Sequence, residues 1–317
     1  MLGPGKARRV VRVLAWILFA FAAIGATTYY DVAYLSLSVG FAALAPYLLL
    51  AAVPAAVLFA IGRHRIGLAL SVLALLFLVV TTAPLYVADD VPAGARDLRV
   101  LTINARLGQA DAASVVAAVR RERPDFLMVE ELTPALQQRL TSGGLERLLP
   151  YRRSSPAGAG AGTGLWSRYR LGQPLSLGLT LNSVVARADV PGFAVPPTVV
   201  ALHLAGPFPV ANDWVKDIYA LPRKLDGLPR DAPVIVAGDF NATHSLAPFR
   251  GLLDDGYGDA GDQAGAGLLR TYPASGPVIG IDHVLVRGGV GREVHTVDIV
   301  GTDHLGLAAT VAVPRTS

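Results

Sequence analysis

The chain has 317 residues, of which 52% are hydrophobic and only 16% charged, with a mean hydropathy of +0.46. A soluble domain is about one-quarter charged, so this balance excludes disorder over most of the chain and argues against a wholly soluble protein. The net charge of +4 would suit a polyanion or a membrane surface, and the absence of cysteine excludes disulfides, thiolate metal sites and a cysteine nucleophile.

Three apolar runs fill residues 1–88: Val13 to Tyr30, a second within Ala42 to Ile61, and Ile66 to Val87. Each approaches the roughly 20 residues that cross a hydrocarbon core, and no charge interrupts them. Pro46 and Pro54 lie in the second, which a transmembrane helix tolerates when neighbours satisfy the freed carbonyls. The first run alone resembles a signal peptide, but two more runs follow at once. A soluble three-helix core is excluded because nothing polar is available to coat it.

The cations orient the anchor. Lys6, Arg8, Arg9 and Arg12 precede the first span, and Arg63, His64 and Arg65 form the turn between the second and third. Both places are expected in the cytoplasm. Asp31 follows the first span and Asp89 and Asp90 follow the third, on the outer side. Three spans from a cytoplasmic N-terminus make a multi-pass cell-membrane protein whose remaining chain is extracellular. Residues 1–88 hold six Lys or Arg against one acid, while the other 229 residues hold 22 against 23. The basic excess is therefore an orientation signal, and nucleic acid is the less favoured partner of the body.

The expected division is an anchor at 1–88, a linker at 89–97 and a catalytic body at 98–317. In the body the chain alternates strands and helices. Strands are expected over Leu98–Ile103, Phe126–Val129, Thr198–Leu204, Val234–Ala237, Ile281–Val286, Val294–Ile299 and Leu307–Val313. Helices are expected over Ala112–Arg123, from Thr133 to Leu140 with Thr133 as N-cap and Pro134 first, and over Asp213–Leu228, where Pro222 should bend or end it. Arg120, Arg121 and Arg123 read as a solvated helix face. Arg152 and Arg153 read as loop cations available to a cleft, Gly158 to Gly164 as a small-residue loop, and His244, three residues past Asn241, as a cap for the next helix region in preference to a group that reaches the site. These alternations predict an α/β domain with a large antiparallel share.

Polar residues collect at strand ends. Gly238-Asp239-Phe240-Asn241 follows a buried strand, and residues two apart in extended chain share a face. Asp239 and Asn241 therefore suit the activation and orientation of a water, or equally an Asx turn closing a loop. Asn104, Glu130, Glu131 and His203 end other strands, Asp282 and His283 begin one, and Asp303 and His304 precede the last. Without cysteine, any metal falls to carboxylate, imidazole or amide oxygen, which favours hard cations such as Mg²⁺ or Mn²⁺.

The ordered motifs resemble those of the endonuclease/exonuclease/phosphatase (DNase I-like) superfamily. They are Leu101-Thr102-Ile103-Asn104, the acidic strand Asp125 to Leu132, Gly164 to Ser167, Leu202-His203-Leu204, GDFN, Thr271-Tyr272-Pro273, Ile281-Asp282-His283 and Thr302-Asp303-His304. Glu130 stands where the family usually has Gln, and Thr302 where it has Ser. The resemblance implies a four-layer α/β sandwich behind three transmembrane helices, with metal-assisted phosphoester hydrolysis between two sheets. Glu131 would hold Mg²⁺ (or Mn²⁺) with Asn104 and Asp303. Asp239 would position or deprotonate water, and Asn241 would orient water or phosphate. His203 and His304 would bind phosphoryl oxygens, and Asp282 would orient His304. Three spans before such a domain also resemble the teicoplanin-resistance membrane proteins (VanJ-like), linked to cell-wall synthesis and antibiotic resistance. Lipid-linked phosphate or pyrophosphate, such as undecaprenyl pyrophosphate, is thus the preferred substrate. A nuclease or nucleotide phosphodiesterase comes next, then a phospholipase C-like (sphingomyelinase-type) enzyme, and a non-catalytic interaction domain last.

Overall fold

A computed structural model describes residues 4–30, 35–209 and 211–314. The chain divides into two compact units, Met1–Pro84 with His244–Arg250, and Leu85–Thr243 with Gly251–Ser317. Asp31, the acid expected in the first outer loop, lies outside the described residues.

The first unit holds α1 (Pro4–Thr28), α2 (Ser36–Ala43), α3 (Ala45–Leu50), α4 (Ala52–Ile61) and α5 (Arg65–Thr82). Two stretches, Gly5–Thr28 and Arg65–Tyr86, are long and apolar enough to cross a membrane. The second apolar run is not one straight helix. It breaks between Ser36–Ala43 and Ala45–Ile61 with a bend of 59°, and counts as a third span only if the bent pair is taken together. Pro46 explains the break: it has no N–H to continue the preceding helix and is at home in the first turn of a new one. The helices approach closely through small residues, as lipid-embedded helices do. A Cβ on Gly25 would meet the carbonyl of Ala45 at 2.9 Å, and one on Gly67 would enter the ring of Phe59. Arg12 donates Nε to the carbonyl of Gly62 at 2.8 Å, bringing both basic clusters to one end of this unit. Tyr29 and Phe77 meet edge-on at the other end, 5.4 Å between centroids.

The second unit runs β1 (Arg96–Asn104), α6 (Ala112–Glu122), β2 (Phe126–Glu130), α7 (Pro134–Ser142), β3 (Tyr151–Ser155), β4 (Thr163–Ser167), β5 (Val184–Arg187), β6 (Thr198–His203) and α8 (Asn212–Asp226). It continues through β7 (Val234–Asp239), α9 (Ala247–Asp254, whose first turn belongs to the first unit), β8 (Gly258–Asp259), α10 (Ala260–Gln263), β9 (Asp282–Arg287), β10 (Val290–Val297) and β11 (Gly306–Val313). One sheet has the order β10-β11-β1-β2-β4-β3 and the other β5-β6-β7-β9-β8. The β1–β2 and β6–β7 pairs are parallel, joined by α6 and α8 as crossover helices, and the other ladders are antiparallel.

Period-two alternation decides which side chains face which layer. Leu98, Val100, Phe126 and Met128 of one sheet meet Val199, Ala201, Ile235, Ala237, Val284 and Val286 of the other in a single core. The intervening Leu101, Ile103, Leu127 and Val129 pack instead with Val115, Val119, Leu136 and Leu140 of α6 and α7. The second unit is thus an α/β sandwich of two sheets. Thr133 caps α7 as expected, accepting from the amide of Leu136.

Pro222 does not end α8. Trp214, Ile218, Leu221 and Leu225 are all fully buried at helical spacing. Burial contributes about 1.5–3 kcal/mol for each such side chain, which outweighs the roughly 3 kcal/mol an interior proline costs. Arg152 and Arg153 are not in a loop but on edge strand β3. Arg152 pairs with Glu146 at 2.9 Å, and Arg153 donates to the carbonyls of Leu171 and Gly172. The strand expected at Val294–Ile299 begins earlier, at Val290, and bulges between Gly291 and Glu293.

Candidate active site

The inward stripes of both sheets are apolar until their last residues, which are polar. Val199, Ala201 and His203 share a face of β6, as do Ile235, Ala237 and Asp239 of β7, and Val284 and Asp282 of β9. Register sets His203 opposite Asp239 and Asp239 opposite Asp282. On the facing sheet Asn104 pairs with Glu130. Seven of the eight residues singled out from the sequence converge here: Asn104, Glu131, His203, Asp239, Asn241, Asp282 and His304. Asp303 is half-exposed, with its carboxylate 3.7 Å from Nε of Arg106, and reaches the group through its charge on His304.

Asp239 is the hub. It receives Nδ2 of Asn104 at 2.9 Å on one oxygen and the amide of Asn241 at 2.8 Å on the other. Nε2 of His203 and of His304 lie 3.5 and 3.8 Å from that first oxygen. Burial pushes Asp239 above its ordinary range and the neighbouring Asp282 adds to this, against the pull of the two imidazoles. The approach is so close that only glycine fits before it. Gly238 has φ +150°, and a Cβ there would overlap the carbonyl of Leu202. Asn241, at φ 48°, takes the left-handed turn that asparagine tolerates, and donates Nδ2 to the carbonyl of Leu204 at 2.8 Å.

The two imidazoles are held differently. Nδ1 of His304 faces the Asp282 carboxylate at 2.9 Å, and its ring packs on Tyr272, 4.9 Å between centroids. Burial alone would lower His304, but Asp282, Asp239 and Asp303 outweigh it and push it up to about 10. His304 is therefore a fixed cation at neutral pH. Nδ1 of His203 meets the carbonyl of Gly160, at 3.2 Å. Gly160 belongs to the small-residue loop and is a site element the sequence reading passed over. Thr271, from the Thr-Tyr-Pro motif, accepts the amides of Ile281 and Asp282 on its hydroxyl. Thr302 donates its hydroxyl to the carbonyl of Asn104 at 2.6 Å.

Glu131 reaches this group by a backbone device. Strand alternation would send it to the helix-covered face with Leu127 and Val129. Its φ of 54° turns it back, so that Nδ2 of Asn104 meets its Oε1 at 3.2 Å and the amide of Leu107 its Oε2 at 2.5 Å. One neutral amide thus draws together two carboxylates, Glu131 and Asp239. A second grouping, Asp239, Asp282 and His304, places one ligand atom from each residue within 4.8 Å of the others and could also hold a metal ion. In that trio Asp282 and His304 already hold one another. The all-oxygen pair around Asn104 is the better match to a hard cation.

Glu130, one residue earlier, stays on the inward face and is wholly buried. Burial, reinforced by Asp282 and Asp239, holds it well above the usual carboxylate range, although the hydroxyl of Thr102 donates to it. A neutral carboxylic acid can fill the place of an amide.

His283 lies on the opposite face of β9 from Asp282. Its Nδ1 meets Asp259 at 2.6 Å and its Nε2 the carbonyl of Ala242 at 2.8 Å. Both partners accept, so the ring must donate from both nitrogens and be cationic. Burial lowers His283, but Asp259 more than restores it and the net shift is upward. A raised histidine stabilises the fold fully below its unfolded value of about 6.5 and loses that contribution as pH rises through the folded value. The melting temperature should therefore decline on the alkaline side. In His283→Gln it should start lower, by about 1–3 kcal/mol for the unpaired buried carboxylate, and show a flatter decline. A variant as stable as the parent at every pH would disprove this pairing.

A model of the endonuclease/exonuclease/phosphatase family matches residues 101–304. No curated protein matches the chain. Among solved structures, a D. rerio TDP2 humanized by 14 mutations is 19% identical with a TM-score of 0.58, covering 68% of this chain and 99% of that one. An endonuclease/exonuclease/phosphatase from Bacteroides vulgatus is 17% identical with a TM-score of 0.54, covering 69% and 100%. One from Beutenbergia cavernae DSM 12333 is 21% identical with a TM-score of 0.50, covering 69% and 72%. At these identities the likeness is one of fold.

Proposed function

The chain belongs to the endonuclease/exonuclease/phosphatase family, and from that premise we propose a membrane-anchored phosphoesterase, dependent on Mg²⁺ or Mn²⁺, that hydrolyses a lipid-linked phosphate or pyrophosphate outside the cell. What supports hydrolysis most is the buried hub of Asp239, flanked within 4 Å by both imidazoles and by Asn104. Members of the family act typically on phosphoesters and generally use a divalent metal.

The residues divide the work as follows. Asp239 orients the attacking water and takes its proton, a task suited to a carboxylate whose pKa burial and Asp282 raise. Asn241 fixes the water or a phosphoryl oxygen. His304, kept cationic by Asp282, offers a donor to the phosphoryl oxygens as negative charge builds. His203 faces the same point from the other side, with Nδ1 committed to Gly160. Glu131, with Asp239, would hold the cation, which when bound supplies charge neutralisation at the phosphate. Asn104 would join them only by turning its amide, because Nδ2 faces both carboxylates while Oδ1 accepts the amide of Arg106.

The lipid-linked substrate is supported by the apolar helices preceding the domain and by the near balance of charge in the body, which offers little to a duplex. Both basic clusters lie at one end of the helical unit, which supports a cytoplasmic N-terminus and an exported body. A D. rerio TDP2 of the same fold is described with a single strand DNA product, so DNA belongs in the test. Purified protein in detergent should release phosphate from undecaprenyl pyrophosphate faster than it cleaves a phospholipid or single- or double-stranded DNA. Preference for DNA would overturn the lipid assignment, and no turnover on any of them would overturn the hydrolase.

A further inference from the structure

Residues His244–Arg250 cluster with Met1–Pro84, although they follow Asn241 by only three positions. Within that unit Arg250 is the organising side chain. Its Nη1 donates to the carbonyls of Ser245 at 2.6 Å and His244 at 3.1 Å, and its Nη2 to the carbonyl of Tyr29 at 2.6 Å. The guanidinium also lies over the Tyr29 ring, 3.6 Å from its centroid. The face of the cation is thus stacked while its in-plane donors are spent on three carbonyls, a combination that lysine's ammonium does not offer. Tyr29 sits just past α1, against Tyr30 and Phe77. An aromatic collar at the end of an apolar helix is the arrangement favoured at a membrane–water boundary.

Eight residues, 242–249, lie between Asn241 and Arg250. The Ala242 carbonyl is held by His283, and Thr243, Ser245 and Leu246 are buried. We propose that Arg250 is a positioning residue, clasping the chain that follows Asp239 and Asn241 to the end of the first apolar helix. The anchor is then part of the working enzyme and not only a tether. In this role Arg250 presupposes the hydrolytic tasks proposed above for Asp239 and Asn241.

The test uses the full-length chain in detergent. Arg250→Ala should lower kcat by about tenfold with KM nearly unchanged. Arg250→Lys should recover only part of that loss. A rise in KM, or full rescue by lysine, would assign Arg250 to binding an anionic substrate and overturn the clasp. Tyr29→Phe, which keeps ring and carbonyl, should retain full turnover. Tyr29→Ala, which removes the ring but keeps the carbonyl, should lose part of what Arg250→Ala loses, and the double variant no more than Arg250→Ala. Chymotrypsin gives a readout independent of turnover: cleavage between 240 and 249 should quicken in Arg250→Ala and in Tyr29→Ala. Unchanged cleavage in both overturns the clasp even if no phosphoester is turned over. Quickened cleavage beside an inactive parent would instead fault the hydrolase assignment alone.

Discussion

Asp239→Ala lowers turnover by about 10³-fold or more while the chain stays folded. Both halves of that expectation come from the same geometry. Asp239 is buried, its oxygens are the convergence point of Asn104, Asn241, His203 and His304, and burial together with Asp282 raises its pKa. A carboxylate raised in the folded state is more costly to ionise there than in the unfolded chain, so its charge does not stabilise the fold at neutral pH. Removing it therefore relieves repulsion with Asp282, although it frees the amide of Asn241 and Nδ2 of Asn104. The melting temperature should hold or rise as turnover collapses, the usual exchange at a site built for chemistry. His304→Ala should lose about 10²–10⁴-fold, and the double variant little more than the worse single one, because the two act on one phosphoryl group. Phosphate release and thermal melting on the same preparations decide it. An Asp239→Ala enzyme with near-parental turnover removes Asp239 from the chemistry, and one that unfolds makes its role architectural.

Strand positions and strand-end chemistry were legible because they rest on alternation. Ile235, Ala237 and Asp239 must share a face wherever the strand is extended, and a polar residue ending an apolar stripe signals a site. The second apolar run was less legible, because counting apolar residues ignores the N–H that Pro46 lacks. Pro222 misled in the other direction: its local cost is visible in sequence, while the buried face of Trp214, Ile218, Leu221 and Leu225 that offsets it is tertiary. Arg152 and Arg153 read as cleft cations because strand β3 is short, polar and an edge, and such strands leave no alternating signature. Nor does sequence reveal that Gly160, in the small-residue loop before the Gly164 to Ser167 motif, supplies the carbonyl for His203. Glu130 is the subtlest case. A glutamate where the family has an amide reads as a charge change, but burial and the neighbouring Asp282 and Asp239 favour its neutral form, leaving the site with an acid that behaves as a polar neutral group.

Removing divalent metal should abolish turnover, and the residue that reports on this most directly is Glu131. EDTA should stop phosphate release and excess Mg²⁺ or Mn²⁺ should restore it. Glu131→Gln keeps the shape and an acceptor for the amide of Leu107 while removing the charge. It should raise the metal concentration for half-maximal activity by about 100-fold or more, beyond the 10–100-fold typical when only a ligand's supporting partner is lost. The backbone supplies a second, independent check. A left-handed non-glycine residue costs about 1–3 kcal/mol, and Glu131 accepts that conformation only to swing its carboxylate to Asn104 and Asp239. Glu131→Gly should accordingly melt higher than the parent yet respond to no added metal. If turnover continues in EDTA and Glu131→Gln titrates like the parent, the paired carboxylates hold no catalytic cation. If Glu131→Gly melts lower, the turn is set by neighbouring packing rather than by the demand of the site.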